Sequence, residues 1–152
     1  MRFHLIAIGK SRAGPAQALF REYAGRLNPP LTLVEVEEKR PLGADALKAR
    51  EAELLLAQVP AGALVLLLDE RGSELSSPGF AEKIGKWRDQ GIGDIAILIG
   101  GAAGHGDAVR ARATATLCLG RMTWPHMLVR GLIAEQLYRA QQILVGHPYH
   151  RE

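Results

Sequence analysis

Two short apolar runs, residues 63–68 and 94–99, constrain this chain more than any other feature. A strand that is apolar at nearly every position has no face to give to water, so it belongs in a sheet covered on both sides. Residues 3–8 and 114–119 read as further apolar strands, the first closed by Gly9. Residues 31–37 alternate Leu31, Leu33, Val34 and Val36 with polar residues, the pattern of a half-buried strand. Helical spacing fills the gaps. Leu19, Phe20, Tyr23 and Leu27 share a face over 16–27, and Asn28-Pro29-Pro30 ends that helix. Residues 44–58 are amphipathic and are followed by Pro60 and Gly62; Ser77 is placed to cap a helix running to Gln90; Pro125 introduces a long helix over 126–144. Strands interleaved with helices predict an α/β fold with a mainly parallel sheet and helices on both faces. Ligands of such sheets sit beyond the carboxyl ends of the strands, which directs attention to the segments after Leu68, Ile99 and Leu119.

The 152 residues, without linker or repeat, predict a single domain over 1–152. With 47% hydrophobic and 23% charged residues the composition is globular, not disordered. No apolar run is long enough to span a bilayer, and Arg2 and His4 interrupt the first one before Lys10 and Arg12, which leaves no signal-peptide core. The single cysteine, Cys118, excludes an internal disulfide and a multi-cysteine zinc site, and its apolar neighbours predict a buried thiol. The five histidines lack metal-ligand spacing. The expectation is a cytoplasmic protein with no metal and no membrane partner. Charge is unevenly placed: residues 1–109 carry 13 Lys+Arg against 14 Asp+Glu, whereas 110–152 carry six arginines against two glutamates. A cationic end suits an anionic partner such as a phosphate backbone, and is equally what a solvated basic helix would show.

Three segments carry candidate chemistry. Residues 99–104 are glycine-rich, but match neither the dinucleotide fingerprint nor a P-loop. They fit a tight turn, or a loop whose backbone approaches a ligand closely. Asp69 and Glu70 are adjacent acids at a strand end, too close to flank a glycoside, and Glu70-Arg71 reads as a solvated turn. Residues 119–126 form the third segment. Backbone groups from three such loops would hold an uncharged adenosine without a charged clamp. The 126–144 helix is apolar around much of its circumference, with Arg130, Glu135, Tyr138 and Arg139 interrupting. It predicts either a dimer interface or a core helix with snorkelling arginines. The tail packs His147, Tyr149, His150 and Arg151 into a chain end, where residues are usually bland.

Four motifs in order give a more specific reading. Leu98-Ile99-Gly100-Gly101 with Gly104, Met122-Thr123-Trp124-Pro125-His126, Glu135-Gln136-Leu137-Tyr138-Arg139-Ala140 and His147-Pro148-Tyr149-His150-Arg151 together resemble the bacterial 23S rRNA (pseudouridine-N3)-methyltransferase family, a small member of the SPOUT class. The similarity starts at Ile6-Ala7-Ile8-Gly9-Lys10 and runs to the last residue. The resemblance implies a parallel-sheet SPOUT fold with a C-terminal trefoil knot, which periodicity would never suggest. It implies S-adenosylmethionine as cofactor, with Leu68, Gly100, Leu119, Gly120, Arg121, Met122, Thr123 and Trp124 as its contacts. It also implies a homodimer whose active site lies near the interface and the C-terminal tail. The substrate would be the pseudouridine at position 1915 of 23S rRNA in assembled ribosomes. One departure is visible: Ala102-Ala103 stands where members often carry a polar residue between the glycines.

Methyl transfer from a sulfonium is an in-line displacement, and N3 of pseudouridine must lose its proton before or during attack. A protein helps by orientation and by a base, or a cation that favours the anion. Arg139 and Arg151 are the candidates for holding phosphate or steadying the anion, and His150 for accepting the proton. Two rivals fit the same residues: a non-enzymatic RNA-binding domain using the basic end, and a methyltransferase of the same class acting on transfer RNA. The first needs no adenosine pocket. The second would be favoured by extra RNA-binding domains, and this sequence carries none.

Overall fold

A computed structural model describes residues 1–151. In chain order the elements are β1 (Arg2–Ile8), α1 (Pro15–Arg26), β2 (Thr32–Val36), α2 (Ala44–Ala57), β3 (Leu64–Glu74), α3 (Ser77–Asp89), β4 (Asp94–Ile99), α4 (Asp107–Arg112), β5 (Ala115–Cys118) and α5 (His126–Leu144). The strands form one parallel sheet in the order β2-β1-β4-β3-β5.

The central strands are apolar throughout because both faces are covered. Phe3 and Leu5 of β1, Ile95 and Ile97 of β4, and Leu64 and Leu66 of β3 lie in register on one face. They pack with Phe20 of α1, Phe80 and Ile84 of α3, and Ile133 and Leu137 of α5. The opposite face sets Ile6, Val65, Leu67, Ala96 and Leu98 against Ala52 and Leu55 of α2 and Val109 of α4. Each such Leu, Ile or Phe side chain contributes about 1.5–3 kcal/mol on burial.

Four sequence expectations change. The α3 cap is Ser76, whose Oγ accepts from the Gly79 N–H at 3.1 Å, while the Ser77 hydroxyl donates to Gln136 of α5 at 2.7 Å. Helix α4 was not expected, since six residues with one buried side chain, Val109, give no periodicity. Strand β3 runs past Leu68 to Glu74 through a bulge: Leu68 and Ser73 both register with Leu117, so residues 69–72 are looped out between them. Gly72 makes that possible, because a Cβ there would sit 2.8 Å from the Leu117 backbone. Finally, Arg130 does not snorkel. It is 2% exposed, pairs with Glu35 at 2.5 Å and donates to the Gly9 carbonyl at 3.0 Å, which ties α5 to the ends of β1 and β2.

Helix α5 packs against both α1 and α3 of its own chain. Ile133 is fully buried there, so a charge at that position would disrupt the fold rather than simply divide a dimer. Met127, Val129, Leu132 and Ile143 of the same helix stay half-buried. Among the described residues no helix is long and apolar enough to cross a membrane.

Candidate active site

The bulge of β3 and the carboxyl ends of β4 and β5 enclose a cleft of about 460 Å³. Its walls are the 69–72 bulge, the glycine loop after Ile99 and the loop after Cys118. All eight residues expected to contact a cofactor line it: Leu68, Gly100, Leu119, Gly120, Arg121, Met122, Thr123 and Trp124.

Side chains packed on the loops hold their backbone in place. His105, 9% exposed, meets the Leu68 carbonyl through Nε2 at 2.8 Å. A carbonyl only accepts, so Nε2 carries the hydrogen and Nδ1 is a bare acceptor, with no partner among the described residues. Burial lowers the imidazole pKa and outweighs the opposing effects of the Leu68 carbonyl and Asp69, which keeps the ring neutral. The ring lies against Gly100, where a Cβ would fall 2.9 Å from it. Gly100 therefore also seats His105, besides lining the cleft. Its carbonyl meets His126 Nε2 at 2.6 Å, joining the loop to the start of α5. Gly101 and Gly104 close a tight turn through a 3.0 Å hydrogen bond, with Ala102 and Ala103 at its tip. Below that turn the buried Glu51 of α2 approaches Gly101 so closely that a Cβ would come within 2.7 Å of its carboxylate. Burial raises the Glu51 pKa, and its Oε1 has no partner among the described residues. Glu51 and His105 had no sequence signal, because each depends on a backbone brought close from elsewhere in the chain.

The loop after β5 is folded onto itself. Trp124 Nε1 donates to the Leu119 carbonyl at 3.2 Å, and the buried Cys118 thiol donates to the Gly120 carbonyl at 2.9 Å. Met122 is 76% exposed at its tip. Asp69, at the root of the bulge, pairs with Arg110 of α4 and accepts from the Arg71 N–H at 3.1 Å. Burial opposes ionisation of Asp69, but these donors prevail and its pKa is lowered.

The three residues expected to act on the substrate lie elsewhere. A second cavity, of about 640 Å³, shares the wall formed by Leu117, Cys118, Leu119, Gly120 and Trp124, and Arg139 and Tyr149 line it. Arg139 is held by three neighbours. It donates to Glu135 at 2.6 and 3.0 Å, faces His150 Nδ1 at 3.1 Å and stacks on Tyr149, 4.9 Å from the ring centre. The Tyr149 hydroxyl donates to the same Glu135 oxygen at 3.0 Å. Burial first, then Tyr23 and Glu135, raise the Tyr149 pKa. Because a guanidinium only donates, His150 Nδ1 is the acceptor and its hydrogen lies on Nε2, which is buried without a partner among the described residues. Arg151 is exposed. Neither His150 nor Arg151 lines the cleft. Among the described residues no group of three or more His, Cys, Asp or Glu is placed to hold a metal.

A parallel sheet with a glycine-bearing cleft at its carboxyl edge, and without a phosphate-binding motif, defines an α/β protein with its cleft where such sheets take ligands. Comparison with known proteins then assigns the family. The family model described as "Predicted SPOUT methyltransferase" matches residues 1–150, and the chain belongs to that family. It is 63% identical over 151 residues to the ribosomal RNA large subunit methyltransferase H of Paramagnetospirillum magneticum, covering 99% of both chains. It is 59% identical, at the same coverage, to the protein of that name from Rhodospirillum centenum. Among solved structures, a probable methylase family protein from Haemophilus influenzae superposes with a TM-score of 0.60 at 16% identity, over 99% of this chain and 70% of that one, a likeness of fold alone.

Proposed function

We propose that this protein is an S-adenosylmethionine-dependent methyltransferase of the large ribosomal RNA that modifies N3 of pseudouridine 1915 in assembled ribosomes. The observation that carries the reading is the convergence of Leu68, Gly100 and the six residues 119–124 on one cleft, in a chain that matches ribosomal RNA methyltransferases along its whole length.

The cleft fits the cofactor. Its volume lies in the ordinary range for a small-molecule site, roughly 300–1,000 Å³, and its loops carry Gly100, Gly101, Gly104 and Gly120. S-adenosylmethionine, when bound, supplies an electrophilic methyl group on a sulfonium. Leu68, Gly100 and residues 119–124 would hold it, with His105 and His126 fixing the carbonyls of Leu68 and Gly100 from behind.

The reading extends to a single domain over 1–152, a C-terminal trefoil knot, a cytoplasmic homodimer, and no requirement for metal. In the dimer the half-buried face of α5 lies at the interface, and the tail joins the active site. Arg139 then acts by positioning: gripping Glu135 and His150 together, it keeps the His150 Nδ1 lone pair engaged and the hydrogen on Nε2. With Nδ1 engaged and Nε2 buried, His150 helps fix the tail instead of taking the N3 proton, which leaves to solvent. Arg151, exposed and cationic, is suited to RNA phosphate.

Two measurements test the reading. Calorimetry with S-adenosylmethionine should show one site per chain, and mass spectrometry of ribosomal RNA from cells lacking the gene should show position 1915 unmethylated. Absence of cofactor binding would favour a non-enzymatic RNA-binding protein. Loss of a transfer RNA methyl group instead would favour the other rival.

A further inference from the structure

We propose that the rim of the cleft binds the phosphate backbone of the RNA through Arg71, carried on the 69–72 bulge, with Lys48 of α2 and Arg121 of the β5–α5 loop completing the contact. This rests on the reading above that the substrate is RNA.

Charge around the cleft is divided in two. Arg110 lines it but is tied to Asp69, so that pair offers no free charge to a ligand. His105 is neutral and turned to Leu68. That leaves Lys48, Arg71 and Arg121 on the rim, none of them in an ion pair among the described residues, against one exposed carboxylate, Glu70. Arg71 and Arg121 are exposed, so their charge faces outward. The three cations come from three separate elements, so the excess belongs to the rim and not to one helix face.

The mounting of Arg71 is what separates it from a solvated surface arginine. Its N–H donates to Asp69 Oδ1, Asp69 is anchored to Arg110, and the next residue, Gly72, lies against the Leu117 backbone with no room for a Cβ. The backbone carrying the guanidinium is held from both sides while the side chain is free. A cation on a fixed mounting loses less freedom on binding an anion than one on a loose loop. The cofactor is itself a sulfonium, and only its carboxylate could use these charges. An outward-facing cationic rim matches a polyanion laid across the cleft better.

The test uses the full-length protein with Arg71→Ala and Arg71→Lys, and three readouts: cofactor affinity by calorimetry, kcat and KM for methylation of ribosomes, and the salt dependence of ribosome binding. Arg71→Ala should keep cofactor affinity within about twofold, raise KM for ribosomes roughly threefold to tenfold with little change in kcat, and flatten the plot of log affinity against log salt by about one unit. Arg71→Lys should restore the slope, since the charge is kept. Unchanged KM and slope in Arg71→Ala would mean a solvated arginine. A loss of cofactor affinity would assign the cation to the cofactor carboxylate. Either result overturns the proposal. If the wild type methylates ribosomes and Arg71→Ala equals it, only this inference falls. If the wild type does not methylate them, the proposed function falls and takes this inference with it.

Discussion

The cleft and the C-terminal cluster share one wall, at Leu117, Cys118, Leu119, Gly120 and Trp124, yet they are built by opposite means. In the cleft glycine-bearing loops face the cavity and side chains brace their backbone: His105 on Leu68, His126 on Gly100, Glu51 beneath Gly101. In the cluster the side chains grip one another, with Glu135 receiving both Arg139 and Tyr149, and Arg139 reaching on to His150. A backbone site is damaged through its supports and through steric intrusion. A side-chain network is damaged by deleting any member, because the partners are left unsatisfied.

The largest effect should come from intrusion at the cleft. Gly100→Val sets a branched carbon against the His105 ring and should destabilise the fold by about 1–3 kcal/mol, as overpacking does, with cofactor binding lost. Adding His105→Ala should restore most of the stability in urea titrations. If the double variant is no more stable than the single one, the collision is not with the ring and the contrast between supports and surface is broken. Gly72→Ala, forced against the Leu117 backbone, has no flexible neighbour to give way and should lose stability of the same order, about 1–3 kcal/mol.

A smaller effect is expected from the cluster. Arg139→Ala should slow methylation of ribosomes tenfold or more, about 1.4 kcal/mol of barrier, while cofactor affinity changes by no more than about twofold. Arg139→Lys should recover little of the rate, since one ammonium cannot reproduce the planar fork that meets Glu135 and His150 together. Loss of cofactor affinity in either variant would show that the two regions are one site.

The smallest effect concerns pH. Burial raises the Glu51 pKa above its unfolded value, so the folded state holds its proton more tightly. The stability this gives is complete below the unfolded pKa and is lost as pH rises through the folded one. Glu51→Gln should therefore be more stable than wild type at neutral pH, with the difference closing as the solution is acidified below the normal carboxylate range. A difference that does not vary with pH, in melts followed by circular dichroism, would remove Glu51 from the supports of the glycine turn.

The three loops of the cleft were legible in the sequence because each follows an apolar strand, and the carboxyl ends of parallel strands lie on one edge whatever the strand order. The long helix was legible to the residue, from Pro125 to its end at Leu144. Ser76 and Ser77 show where local reading stops: both suit a cap, and only the backbone shows which accepts from Gly79 and which turns to Gln136. Helix α4 is too short for its periodicity to register. The bulge reads in the sequence as a plain turn, since the polar residues after Leu68 look like the end of a strand and carry no mark of its resumption at Ser73.

The sequence by itself determined the alternation of strands and helices, the burial of both sheet faces and the three segments at the carboxyl edge. Hydrophobic period and turn chemistry act over a few neighbouring residues and leave their record there. Only the tertiary structure decided that Arg130 finds Glu35, that His105 seats against Gly100, that Glu51 lies under Gly101, and that Arg139 is bound inward. Those contacts join residues distant in the chain, and the cost of burying a charge or an unpaired nitrogen depends on which partner packing brings within reach.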